Sequence, residues 1–212
     1  MATPADKRNI AVPTVTLVII AAVLTIGLVT FANVTRDRIA RNQQAWIKQH
    51  LDALVPPQSY DNDPLTDITE VTAPELLGTS SPVVVYRLRK AGLPVAVAVR
   101  SIAPDGYRGP LELLIAIAPG GQLLGVQVIR HNETPGLGDA FENRDAGWLE
   151  KFRGLSLTKP PQQRWTVRRD GGDFDAFTGA TITPRAIVKS VRRTLEFYQG
   201  NEDRLYQDGW RQ

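Results

Sequence analysis

Two short segments of this 212-residue chain hold residue types that could do chemistry. The first is Asp175-Ala176-Phe177-Thr178-Gly179-Ala180-Thr181-Ile182-Thr183-Pro184, which runs directly into an apolar stretch of helical spacing. Thr183 followed by Pro184 reads as a cap residue and the first helical position. Small residues at such a place leave backbone N–H groups open beside the positive end of a helix dipole, a seat for phosphate. Threonine hydroxyls next to that seat bind a phosphate or become esterified by one. The same residues also make an ordinary turn with capping threonines, and spacing alone does not separate the two readings. There is no Gly-Lys-Ser/Thr, so this is not a nucleotide-triphosphate loop of the Walker kind.

The second segment is His131-Asn132-Glu133-Thr134-Pro135-Gly136-Leu137-Gly138-Asp139. As a ligand loop, its glycines would let the backbone approach a flat group while Glu133 and Thr134 supply polar contacts. As a plain loop, the same Pro and Gly are punctuation and Asp139 caps whatever follows. His131 by itself reads as structural. Elsewhere there is no Gly-x-Ser-x-Gly elbow, no His-Glu-x-x-His, and no carboxylate pair that nominates an acid–base couple. No residue is therefore assigned as catalytic and none as a metal ligand. The chain lacks cysteine and has only His50 and His131, which excludes disulfides, thiolate-bound zinc, iron–sulfur ligation and a cysteine nucleophile. Net charge is +3 from 25 basic and 22 acidic residues, well mixed. No basic block marks a nucleic-acid surface.

The elements that must position these segments follow from periodicity. Asn9 to Thr35 carries no charge, and Ile10 to Val34 as a helix spans about 37 Å at about 1.5 Å per residue, more than the roughly 30 Å hydrocarbon core. The run is too long for the apolar region of a cleaved leader, and Phe31-Ala32-Asn33 is a poor cleavage match, so residues 10–34 read as a transmembrane anchor. Charge counting would leave the following domain in the cytoplasm, but long domains translocate largely regardless of charge, so charge leaves orientation open. Residues 35–70 read as a juxtamembrane helix ending at Pro56-Pro57 and a polar connector. Strands are expected at Val83–Leu88, Leu93–Val99, Leu111–Ala118 and Leu123–Ile129, with Pro119-Gly120-Gly121 turning the second hairpin. Asp139–Phe152 is expected to be helical, Arg164–Arg168 a short strand, and Pro184–Tyr198 a helix that stops near Gly200. Residues 201–212 form a charged tail with Leu205, Tyr206 and Trp210 suited to a short docking helix. The class is α+β: an antiparallel sheet flanked by helices, with the main domain over residues 71–200.

Together the two segments resemble a known family. Asp175-x-x-Thr178-Gly179-Ala180-Thr181 is similar to the flavinylation motif Asp-x-x-Ser/Thr-Gly-Ala-Ser/Thr of FMN-binding domains, with Thr178 where serine is commoner. His131–Asp139 resembles the loop that accompanies this motif in the FMN-binding G subunits (RnfG, RsxG) of Rnf-type ion-translocating electron transport complexes. The N-terminal anchor, Tyr107-x-Gly109 and the chain length match as well. The resemblance implies an FMN joined by a phosphoester to Thr181, attached by a flavin transferase that uses FAD, with Asp175 belonging to the motif. It implies further that Thr178, Gly179 and Ala180 lie at the phosphate and that Glu133, Thr134, Gly136, Leu137 and Gly138 border the ring. It implies a redox protein that relays electrons within a ferredoxin- and NAD-linked complex of the bacterial inner membrane. A single anchor would follow a short cytoplasmic N-terminus (residues 1–9) and place the flavin domain in the periplasm beside the other subunits. The flavin-bearing C subunit of a sodium-pumping NADH:quinone oxidoreductase shares motif and anchor but is usually longer. A flavin-binding sensor would normally bring more spans and cysteine-rich parts.

Overall fold

A computed structural model describes residues 11–142 and 147–207. The chain divides into two units, residues 1–46 and 47–212. The described part of the first unit lies in helix α1 (Ala11–Leu54), whose apolar side chains from Val12 to Val34 are exposed. Thr16, Thr25 and Thr30 fold their hydroxyls back onto the carbonyls of Val12, Ala21 and Ile26 at 2.9, 2.8 and 2.8 Å. Hydroxyls satisfied within the helix suit a lipid environment, which supplies no partners for them. Among the described residues this is the one helix long and apolar enough to cross a membrane.

In the second unit, β1 (Ile68–Val71), β2 (Val83–Lys90), β3 (Leu93–Ala103), β4 (Leu111–Ile117) and β5 (Leu123–Arg130) form a single antiparallel sheet in chain order. The four-residue helix α2 (Pro74–Leu77) joins β1 to β2. Helix α3 (Ile182–Leu205) covers one face with Ile187, Val188, Val191, Leu195 and Tyr198. Leu51 and Leu54, at the end of α1, cover the other. Strand β4 shows why: Leu111, Leu113, Ile115 and Ile117 enter the α3 side, while Leu114 and Ala116 enter the opposite cluster. With both faces buried, the strands read as continuous apolar runs rather than an alternation.

Four expectations about local structure need correction. The connector at residues 57–70 contains the start of β1, which is too short for its periodicity to show in the sequence. Asp67 just before it is gripped by Arg87 Nε at 2.6 Å and Arg89 Nε at 2.9 Å. The same guanidinium groups donate to Gln207 O at 2.6 Å and Tyr206 O at 2.7 Å, tying the sheet edge to the end of α3. Asp139–Phe152 is not one helix: it forms 3-10 turns at Ala140–Glu142 and Leu149–Phe152. Arg164–Arg168 is not a strand but joins two further 3-10 turns, Gln162–Arg164 and Arg168–Asp170, with Val167 making an isolated bridge to Phe174. Helix α3 starts at Ile182 and passes through Gly200 to Leu205, because Leu205 is fully buried and rewards the extra turn. Trp210 lies outside the described residues.

The 3-10 turns close their own short hydrogen bonds, such as Glu142 N–H to Asp139 O at 2.8 Å and Arg164 N–H to Pro161 O at 2.8 Å, and aromatic contacts hold them to one another. Phe152 stacks on Phe174 at 4.9 Å and meets Trp148 edge-on at 5.3 Å. Trp148 in turn meets Phe177 at 5.0 Å, and Phe141 lies 6.2 Å from the same ring. Such pairs add about 0.5–1.5 kcal/mol each beyond area burial. The row they form is the floor beneath the segment that enters α3.

Candidate functional site

Phe177 to Ala180 makes a tight turn on that floor. Ala180 N–H donates to Phe177 O at 3.0 Å, and Gly179 takes φ 78°, a left-handed conformation that favours glycine. Thr178 and Gly179 are exposed, Ala180 half-buried. Thr181, not Thr183, occupies the cap position of α3, with φ −94° and ψ −22°, and its side chain makes no capping hydrogen bond. The residue is half-buried, and its hydroxyl is uncommitted to the helix it precedes. By helix geometry the N–H groups of Ile182 and Thr183 have no intrahelical acceptor, and Pro184 has no N–H. A small-residue turn, a free hydroxyl and open N–H donors thus converge at one helix start.

The His131–Asp139 loop is brought against this turn. Leu137 Cδ1 lies 3.1 Å from where a β-carbon on Gly179 would stand. Leu137 and Gly138 N–H both donate to Thr134 O at 3.1 Å, closing the loop on itself. Glu133 is only 5% exposed. Its Oε2 accepts from Thr183 Oγ1 at 2.8 Å, and its Oε1 accepts from Arg108 N–H at 3.3 Å. The residue expected to show a carboxylate to a ligand is instead turned inward, beneath the loops. Gly138 fits because a β-carbon there would stand 2.5 Å from Glu133 Oε2. His131 serves the loop too: Nδ1 accepts from Glu133 N–H at 3.2 Å and Nε2 faces Glu142 Oε1 at 2.7 Å, with the ring edge-on to Phe141.

Asp175 sits at the near end of the floor. Trp148 Nε1 donates to its carbonyl at 2.9 Å, while its carboxylate lies between Lys151 Nζ at 2.5 Å and Arg168 Nε at 3.1 Å. The Lys151 ammonium holds the Asp175 carboxyl below the usual carboxylate range. Three features here could not be read from the sequence. Thr183 looked like a cap and is a buried partner of Glu133. Tyr107 and Ile182, 62% and 44% exposed, join Leu137 at 41% as large apolar groups left open on segments that Glu133 and Gly179 bring together. Only the Tyr107-x-Gly109 pattern hinted at the first of these. Next to the floor, a groove of about 570 Å³ opens between Phe141, Trp148 and the Val126–Val128 stretch of β5.

Comparison with known proteins matches residues 106–196 to the FMN-binding domain. That stretch begins at the Gly106 turn and ends inside α3, so it contains both loops of the site. Over 186 residues the chain is 47% identical to the G subunit of the ion-translocating oxidoreductase complex of Photorhabdus laumondii, covering 87% of this chain and 88% of that one. The G subunit of the same complex in Shewanella baltica is 40% identical over 191 residues, covering 90% of each chain. That of Pseudomonas aeruginosa is 43% identical over 185 residues, covering 87% and 86%. Among solved structures, Shewanella oneidensis NqrC aligns over 68% of this chain and 70% of its own, with 22% identity and a TM-score of 0.44. On sequence identity sustained along nearly the whole of both chains, this protein belongs to the family of G subunits of ion-translocating oxidoreductase complexes and carries that family's FMN-binding domain.

Proposed function

We propose that the domain carries one FMN joined by a phosphoester to Thr181 Oγ1 and relays electrons within its complex, between ferredoxin- and NAD-linked partners. The carrying observation is the Thr181 hydroxyl: it stands at the start of α3 without a capping bond, with Gly179 and Ala180 before it. These residues fit the group. Gly179 and Ala180 add little bulk beside Thr181, the Ile182 and Thr183 N–H groups would donate to a phosphate there, and exposed Leu137, Tyr107 and Ile182 offer apolar surface to a flat ring. In this reading Thr178, Thr134, Gly136 and Gly138 would border the cofactor from the two loops, and Glu133, bonded to Thr183, would support them from below.

FMN when bound supplies one- and two-electron chemistry that no side chain here provides. The protein's part is to hold and expose the cofactor. In the attachment step Thr181 Oγ1 would displace AMP at the flavin-side phosphorus of FAD: the oxygen–phosphorus bond would form, the bridging pyrophosphate bond would break with AMP as the leaving group, and the hydroxyl proton would pass to a base of the transferase or to water. A flavin transferase would catalyse this, and Asp175 would assist that enzyme rather than the fold. A covalent tether keeps the cofactor from being lost on the outer side of a membrane. We place the anchor at residues 10–34 as a single pass of the inner membrane, with residues 1–9 in the cytoplasm. Residues 35–70 connect it to a periplasmic FMN-binding domain at residues 71–200, followed by the tail at 201–212, among the other subunits.

The test is a denaturing gel of the full chain co-expressed with the transferase, viewed under ultraviolet light. Wild type and Thr178→Ala should fluoresce, and Thr181→Ala should not. Equal fluorescence from Thr181→Ala refutes the attachment site.

A further inference from the structure

Among the described residues Glu133 is the only acidic side chain in the buried class. Burying a carboxylate costs several kcal/mol unless donors meet it, and an apolar residue would usually serve a fold as well or better. Its donors come from two separate segments. Thr183, fully buried in the first turn of α3, gives its hydroxyl at 2.8 Å. Arg108, in the turn between β3 and β4, gives its N–H at 3.3 Å. The loop supports the arrangement: Glu133 N–H is fixed on His131 Nδ1, and Gly138 leaves the space that the carboxylate fills. Thr183 is two residues past Thr181, within the same turn of backbone.

We propose that Glu133 is a positioning residue for the Thr181 seat. Through Thr183 it fixes the first turn of α3 against the 131–138 loop, and so sets the direction in which the Thr181 hydroxyl meets its phosphate donor. Through Arg108 it holds Tyr107 and the Gly106 turn to the same junction. Glu133 touches no reacting atom in this scheme. The proposal rests on the reading of Thr181 as the attachment site.

Substitutions separate this from a role in stability alone. In Glu133→Gln the amide can accept from Thr183 with its oxygen, but its NH2 then faces the Arg108 N–H, so one of the two bonds is lost whichever way it turns. Thr183→Val keeps the shape and removes the donor, and Thr183→Ser keeps the donor. Each is made in the full chain, purified in detergent without flavin, and labelled in vitro with purified transferase and FAD. Initial rates are read by in-gel fluorescence and divided by the folded fraction from circular dichroism. Glu133→Gln and Thr183→Val should each lower kcat about tenfold, the effect of one charge-assisted hydrogen bond, with KM for the chain little changed, the pattern of lost orientation. Thr183→Ser should return to within about twofold of wild type, and the double variant should be slowed by less than the product of the two single effects, since both act through the contacts of one carboxylate.

Wild-type kcat in Glu133→Gln and Thr183→Val, with Thr181→Ala unlabelled, overturns the positioning role and leaves the attachment site standing. Rate losses that vanish on correction for folded fraction overturn it also, in favour of a structural strut. Labelled Thr181→Ala removes the attachment site and the positioning role with it.

Discussion

Removing Asp67 tests how the edge of the sheet is closed. Arg87, 7% exposed, holds Asp67 Oδ1 at 2.6 Å, and Arg89, 16% exposed, holds Oδ2 at 2.9 Å. Asp67→Ala would leave two adjacent guanidinium groups in a largely dry site without the carboxylate that sets them 2.6 and 2.7 Å from the carbonyls of Gln207 and Tyr206. Breaking a buried pair from one side costs about 3–5 kcal/mol. Asp67 keeps 21% of its side chain in water, so the lower end, about 3 kcal/mol, is appropriate. At about 2–4 °C per kcal/mol for a domain of this size, Tm should fall by about 6–12 °C. Near-ultraviolet circular dichroism of the purified chain in detergent, where Trp148 and Trp165 report tertiary packing, follows the transition. A fall of less than about 2 °C would show that the arginines hold their carbonyl partners without Asp67.

Phe152→Ala removes a fully buried ring from between Phe174 and Trp148, and should cost about 3–5 kcal/mol in a denaturant titration. Asp175→Asn should fold normally yet take label slowly from the transferase, and labelling at the wild-type rate would exclude a role for the carboxylate. The Asp175 carboxyl is held low by Lys151, so its stabilisation is fully present above about pH 4 and is lost as pH falls through its lowered folded value. Wild type should therefore lose more stability than Asp175→Asn on acidification below about pH 4, by a small margin because the group is 38% exposed. A reporter that works only in the periplasm, fused after Gln212, should be active, and an inactive one beside an active cytoplasmic reporter would reverse the topology.

The sheet was legible where strands are long and apolar and where Pro119-Gly120-Gly121 marks a turn. It was not legible at β1, four residues whose place depends on a carboxylate gripped from another strand. Asp139–Phe152 and Arg164–Arg168 misled for a related reason. Trp148 and Phe152 have a spacing that suits a helix locally, but they pack with each other and with Phe174, which also meets Trp165, around 3-10 turns that no periodicity announces. At the site, the threonine and glycine types were readable, and so was the closeness of the two loops once both motifs were considered. The direction of Glu133 was not, because a carboxylate in a Gly-rich loop gives no sign in sequence of whether it faces out or finds a threonine 50 residues on.

The chain order of the sheet bears on when this protein becomes fit for modification. Every strand pairs with its neighbour in sequence, so the meander can assemble from nearby contacts as the chain emerges, early and fast by the logic of contact order. The acceptor segment cannot. Thr181 is built into its seat only when α3 docks on the finished sheet and Thr183 reaches back to Glu133, a closure made across a long separation in the chain. A transferase that needs the assembled seat would pass over chains still incomplete, and the cofactor would then mark those that have finished folding.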